Sequence, residues 1–584
     1  VNFNEVEINI FFEFFFEFKF EFKFKFEVEV EVEVEVEVEV EVEVEKHIIM
    51  EQIGTLNWSI IIIYLLANLL LGFVLSKKVK TAEDFYVGRK TTPWWAIGIS
   101  VLATYVSAMT FLGAPAWSYG SGLSVIAIHL NYPLVIIIVM AMFVPFFMQT
   151  GVVSIYEYQE KRFGKLSRAV ISIIFLVTQL LSSAAVLVAS AFVISYITGV
   201  DVLPSIIIVA IITLIYTSLG GITAVIWTDV LQSAIFLIGG IIVLFALLID
   251  IPEPLSEVLS SLKEKGKINP IDTSINWTKD TTVWAGIIAM SVYHVTVYGA
   301  NQMMMQRTLG AKNMGEAKKS LALMGFAAFF IYFMFIFIGV LFFHYYGGKT
   351  FDNNNNIMLE FAQEKAFPGF IGLIAAAVLA ASMSSLSSAL NSFSTISTEG
   401  FYQKYFRPNE SPEHYLKVAR LSTIFWAIMI IIPAFIFSDD TESVLKLLTK
   451  IGSYFVGAKL AMYGLGFYSK HTSERGLLVG VVVGFISLAL VSQFTDIAWP
   501  WYAVIGAVVN IAVSIIASLL LDGRQAEWSA YSIPGQKARF KAEGLPEKEN
   551  GWYVVPGKLD KVSYYLFGFF IVTLAFLLGF QFWI

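Results

Sequence analysis

The sequence predicts an all-α, polytopic membrane protein of about fourteen transmembrane helices, and three observations carry that prediction. Hydrophobic residues fill 57% of the 584 positions and charged residues only 15%, against about 25% charged in soluble domains. Apolar runs long enough to cross a bilayer recur along the chain. Lys and Arg gather in alternate gaps between those runs. The mean hydropathy of +0.71 agrees. There is no cysteine, which excludes disulfides and thiolate metal sites.

Residues 1–49 differ from the rest. They hold fifteen Glu and four Lys, so of the net charge of −7 this stretch contributes −11 and the remaining chain is +4. From Phe11 to Glu45 apolar and charged residues largely alternate, the period of a strand with Phe and Val on one face. No uninterrupted apolar stretch of a signal peptide is present, and a charge at nearly every second position forbids a membrane helix. The expectation is a low-complexity tail, artefactual or disordered, with Met50 as the natural start.

From Asn57 onward the candidate spans are 57–76, 94–118, 123–148, 167–198, 204–219, 226–250, 282–306, 320–346, 367–397, 416–438, 444–468, 475–494, 499–521 and 563–583. The run at 204–219 is short, and 444–468 contains Lys446, Lys450 and Lys459. Alternate gaps carry 26 Lys and Arg, beginning with Lys77, Lys78, Lys80, Arg89 and Lys90 and including Arg307; the opposite gaps carry six. The positive-inside rule then puts the 77–90 loop in the cytoplasm and both termini outside. The expected location is the plasma membrane, a bacterial inner membrane. The expected division is the tail 1–49, a first helix and loop 50–93, a core 94–468, and peripheral helices 469–584 with a cytoplasmic segment 522–562.

No HExxH, GxSxG or other catalytic constellation appears, so an enzyme is not expected. Nothing calls for nucleic acid or an obligate protein partner; the lipid bilayer is the surrounding partner. A sensor would need an output domain. A passive channel remains as an alternative, though charged rings and repeated filter loops are its usual signs. Two spans point instead to a transporter. SVLATYVSAMTFLGAPA carries Thr104, Ser107, Thr110, Gly113 and Pro115, and SVYHVTVYGANQMMMQR carries His294, Thr296, Gly299 and Asn301. They are the first and sixth helices of the ten in 94–468. A polar, breakable leading helix in each five-helix half is the pattern of inverted-repeat transporters.

Several strings carry a resemblance: TAEDFYVGRKTTPWW (Thr81 to Trp95), SIYEYQEKRFG (Ser154 to Gly164), IYTSLGGITAVIWTDVLQ (Ile215 to Gln232), NQMMMQRTLGAK (Asn301 to Lys312) and AASMSSLSSALNS (Ala380 to Ser392). The stretch from about Asn57 to Phe494 resembles the sodium/solute symporter family of bacterial sodium/galactose and sodium/sialic acid transporters. The resemblance implies a five-plus-five inverted-repeat (leucine-transporter-like) core, sodium ion as the coupling ion, and a small organic solute as cargo.

It also implies sites. The main sodium site would take the carbonyls of Ala103, Val106 and Ala381 and the hydroxyls of Ser384 and Ser385. A hard cation wants such oxygens; the alternative is a small-residue packing face. A second sodium would use Asp229, Ser384, Ser387 and Ser388, the alternative for Asp229 being a helix N-cap. Implied solute positions are His129 and His294, with Ser107, Thr110, Tyr298 and Asn301 as lesser contacts. Ser182 stands where the sialate branch has its carboxylate-gripping arginine, Val297 where the galactose branch has a stacking tyrosine, and Ala328 where the family has a pocket lysine. A sugar or polyol is the expected solute; a small carboxylate, monocarboxylate or sialate-like, is the alternative. Lys459, in FVGAKLAMYGLGF, could be buried or could snorkel.

Overall fold

A computed structural model describes residues 35–584 apart from positions 78, 89, 153, 352, 366, 439–440, 524–526 and 584, and without the side chains of 35–53 and 441–451. Residues 1–34, most of the alternating tail, lie outside the described residues. The chain divides into two units, Val1–Ile49 and Met50–Ile584. In the first, residues 35–49 are helical, where the alternation alone suggests a strand; glutamate is a good helix former and valine tolerates a helix.

The second unit is almost wholly helical. Ten of its described helices are long and apolar enough to cross a membrane, and the difference from fourteen has three physical causes. The spans expected at 204–219 and 226–250 are two helices that meet at a kink with no loop between them, so they read as one continuous helical run, Val202–Asp250, of 49 residues. At 1.5 Å per residue it would run about 73 Å if straight, more than twice a hydrocarbon core of about 30 Å. It bends at Gly221, with φ 55° and ψ −157°. A Cβ there would meet the Phe85 carbonyl oxygen at 2.7 Å, so glycine is required at this bend. Secondly, 94–118 and 123–148 fall into Trp94–Tyr105 and a continuous run Met109–Thr150. That run turns at Gly122, φ 72°, where a Cβ would meet the Lys267 carbonyl oxygen at 2.7 Å. Thirdly, 282–306 breaks into short pieces, and Thr441–Tyr468 carries three lysines.

The two leading helices of the core are broken, as their polar residues imply. Trp94–Tyr105 stops at Val106, which is extended (φ −76°, ψ 112°), and the chain resumes as a π-helix at Met109–Gly113. Met290–Gly299 stops at Ala300. Asn301 then caps Gln302–Leu309, its side chain accepting from the Met303 amide at 2.9 Å. Each break frees carbonyls that no helix satisfies. Between them lies Phe370–Thr395, in which Ser384, Ser385, Ser387 and Ser388 are all buried. The chain is thus a multi-pass, all-α membrane protein with a five-plus-five inverted-repeat core.

At the end carrying most of the Lys and Arg, the segment after the Pro500–Leu521 helix folds back on the core. Asp560 forms a buried ion pair with Lys318 at 2.6 Å, the Gly557 amide donates to Ala141 O at 2.7 Å, and Gln536 donates to Phe146 O at 3.2 Å.

Candidate functional site

The serine helix supplies one wall of a buried polar centre, and its spacing explains why. Ser384 and Ser388 are four apart, as are Ala381 and Ser385, so each pair shares a face. The Ser385 hydroxyl lies 3.2 Å from the Thr104 carbonyl and 3.4 Å from that of Ala381. Thr104 belongs to the last turn before the break at Val106. The structure therefore brings Ala381 and Ser385, two of the residues expected at the main sodium site, to the last turn of the Trp94–Tyr105 helix, which holds Ala103 and stops at Val106. Carbonyls and a hydroxyl converging at a broken helix suit a hard cation.

The Ser384 hydroxyl points elsewhere, donating to Asp229 Oδ1 at 2.6 Å. The second carboxylate oxygen accepts from Ser100 at 2.5 Å and lies 3.4 Å from the Arg307 guanidinium. Arg307 also donates to Ser100 Oγ at 2.7 Å, to the Met303 carbonyl at 2.6 Å and to Ser388 Oγ. Both members of this ion pair are 0% exposed. Asp229 sits well inside the Val202–Asp250 helix, so it is not an N-cap. Ser387 donates to the Ser384 carbonyl at 3.1 Å. Of the second-site positions, Asp229, Ser384 and Ser388 meet, and a guanidinium already stands among them.

Ser100 and Arg307 are the residues that sequence reasoning missed, and Thr104 was singled out only as a polar interruption of its helix. Arg307 had been counted among the loop charges of one side. The break at Ala300–Asn301 turns its short helix inward, and the arginine becomes a central cation. The signal available was its place at the end of the breakable string SVYHVTVYGANQMMMQR.

A cavity of about 760 Å³ reaches this centre. Thr104 and Ser385 line its inner end, and Tyr196, Val202, Asn353 and Asn355 its other end. Ser107, Thr110, His129, Ser182 and Asn301 all line it, with Tyr105, Trp117, Tyr293, Tyr332 and Val297. His129 stacks on Tyr332 with ring centres 3.6 Å apart and bonds to the Tyr132 hydroxyl at 3.1 Å.

His294 and Tyr298 stand behind the wall. Both are 0% exposed, and neither is among the cavity-lining residues. Asn131 donates its amide to Ile128 O and Gly286 O at 2.8 and 3.0 Å, so its oxygen faces His294 Nδ1 at 2.6 Å. Nδ1 therefore carries the proton, and Nε2 accepts from Tyr105 OH at 2.8 Å. Both ring nitrogens are spent on protein partners. His294 positions Tyr105, which does line the cavity.

A core with two broken leading helices, an oxygen-rich centre at one break and a cavity leading to it defines a secondary transporter. The sequence profile of the sodium:solute symporter family matches residues 85–484, and the chain belongs to that family. It is 29% identical over 485 residues to the sodium/sialic acid symporter SiaT of Proteus mirabilis, covering 82% of this chain and 97% of that protein. It is 25% identical over 501 residues to a sodium/glucose cotransporter of Vibrio parahaemolyticus, covering 78% of this chain and 91% of that protein. A solved structure of a sodium-coupled sialic acid symporter, substrate-bound and outward-open, superposes with a TM-score of 0.74 at 29% identity, covering 81% of this chain and 99% of that one. This chain is a sodium-coupled symporter of a small organic solute.

Proposed function

We propose that the chain imports a small, neutral, polyhydroxylated solute, a sugar or polyol, together with sodium, from the side opposite the Lys77–Lys90 loop. On this reading the protein sits in a bacterial inner membrane with both termini outside. The observation that carries the solute class is the cavity wall. No Asp, Glu, Lys or Arg lines it among the described residues, while tyrosines, tryptophans, hydroxyls and amides do. Aromatic faces suit the apolar faces of a sugar ring, and uncharged donors and acceptors suit its hydroxyls. His129 keeps its Nδ1 on the Tyr132 hydroxyl, which leaves Nε2 to meet a solute hydroxyl.

Coupling follows from shared walls. Ser385 and Thr104 belong both to the sodium-site break and to the cavity. Sodium held there by the carbonyls of Ala103, Val106 and Ala381 with the Ser385 hydroxyl, and with that of Ser384 once it turns from Asp229, draws the broken helix onto the serine helix. That contact orders Tyr105 and Ser107 for the solute. A second sodium at Asp229, Ser384, Ser387 and Ser388 requires the Arg307 guanidinium to move aside. Each sodium moved inward gains about 2.3 kcal/mol per 100 mV of interior-negative potential.

A small carboxylate is the second reading, favoured by the similarity to a sialic acid symporter and opposed by Ser182, which offers no charge partner. Uptake into proteoliposomes under an inward sodium gradient decides between them, run across sugars, polyols and carboxylates. Accumulation of a sugar or polyol that collapses with a sodium ionophore is expected. Equal uptake in potassium would sink sodium coupling, and accumulation of carboxylates alone would sink the neutral solute.

A further inference from the structure

Lys459 is a cation buried where the transport cycle described so far has no use for one. It is 7% exposed, and its ammonium lies over the Phe175 ring, 5.9 Å from the centroid. No charged partner acts on it among the described residues. An intramembrane charge without an ionic partner is costly, and its presence calls for a role.

Its place is fixed from two helices. On Lys165–Thr198, Ser182, Gln179 and Thr178 line the cavity, and Phe175 follows on the same face one turn beyond Gln179 and Thr178. On Thr441–Tyr468, Gly452 lines the cavity. Lys459 follows on the same face two turns further, about 10 Å along the axis. Both helices put Lys459 past the inner end of the cavity, towards the Lys161–Arg162 end of the molecule. The layer around it is closed by rings: Phe175 packs on Tyr156 and Phe393 at 5.5 and 5.8 Å. Beyond it Tyr463 stacks on Tyr158 at 5.9 Å and donates to Ile155 O at 3.1 Å. Arg162 closes the end, donating to Gly466 O and Ser469 O at 3.0 and 2.6 Å.

We propose that Lys459 is an electrostatic barrier to sodium, set in the aromatic layer that closes the cavity on the cytoplasmic side. Rings alone exclude a bulky solute, but transient gaps between them admit a small ion. A fixed positive charge in that layer repels sodium at those moments and leaves a neutral solute indifferent. At about 12 Å and an effective dielectric of about 20, one unit charge changes the population of a passing cation about tenfold. The inference rests on the sodium-symport reading and adds to it the means by which sodium is kept from crossing without the solute.

The test uses the full chain in proteoliposomes, with labelled sodium, no solute and a negative interior. Lys459→Met keeps the length and apolar stem and removes the charge; its sodium leak should rise about tenfold over the parent. Lys459→Arg should leak as little as the parent. Labelled urea should enter all three at the same slow rate. A sodium leak in Lys459→Met equal to that of the parent overturns the proposal, with Lys459→Gln repeating the measurement if the Met variant fails to fold. A rise in urea entry in step with sodium also overturns it, because the layer has then merely loosened. Failure of the parent itself to show sodium-driven uptake is a different result, and it strikes the transport reading rather than the role of Lys459.

Discussion

Around Asp229, the protein supplies the partners: Ser100, Ser384 and Arg307 complete its carboxylate. Around His129, by contrast, Ser107, Thr110, Ser182 and Asn301 face a cavity of about 760 Å³. The proposed ion end is a closed network of charge, and the proposed solute end is an uncharged wall. The contrast teaches which substitutions act through stability and which through binding. A group whose partners are all protein is felt first in folding, and a group facing the cavity is felt first in affinity.

The sharpest way to break this contrast is Asp229→Asn. It leaves the Arg307 guanidinium buried without its counter-ion, a loss of about 3–5 kcal/mol by comparison with other severed buried pairs. Thermal unfolding in detergent should show it, and the double variant Asp229→Asn with Arg307→Met should recover much of it. A single variant as stable as the parent would deny the pair its structural role.

The two histidines sharpen the same contrast within one region. His294→Ala strands Asn131 and Tyr105 and should cost about 1–3 kcal/mol of stability for each polar group left unpaired. His129→Ala should spare stability but weaken solute binding about tenfold, the size of one lost hydrogen bond in a desolvated site. Reversal of the two outcomes would place His294, not His129, against the solute.

Ser385→Ala probes the boundary between the two ends. It should raise the sodium concentration for half-maximal uptake about tenfold, near 1.4 kcal/mol, with the unfolding temperature unchanged. An unchanged sodium requirement would leave Ser385 as a packing residue. The smallest effect is expected from Ser182→Arg, which should weaken uptake of a neutral solute a few-fold through crowding. The same variant should improve competition by carboxylates, since a guanidinium binds them in bidentate fashion. Improved uptake of the neutral solute would contradict the uncharged-wall reading.

The serine helix was legible because hydroxyls three and four residues apart must share a face wherever the helix packs. The leading helices were legible because Thr104, Ser107, Gly113, Gly299 and Asn301 interrupt apolar runs at matching places in two halves. The break at Gly221 was legible as the gap between the spans 204–219 and 226–250; what was not legible is that the two helices meet there without a loop, against the Phe85 carbonyl. The separation of His129 from His294 was not legible either, because one break turns one ring towards the cavity and leaves the other between Asn131 and Tyr105.

By itself, then, the sequence determined what periodicity and composition can carry: the membrane class, the doubled core with its two broken helices, and the shared face of the buried serines. Those follow from local rules, since a helix's faces and a bilayer's thickness are the same in any fold. Only the tertiary structure decided that Arg307 is a partner of Asp229 rather than a loop charge, that His294 supports the wall rather than forming it, and that Lys459 lies buried over Phe175. Each of those depends on which helices meet and at what depth, and residues 78 apart, as Asp229 and Arg307 are, have no spacing rule that foretells their contact.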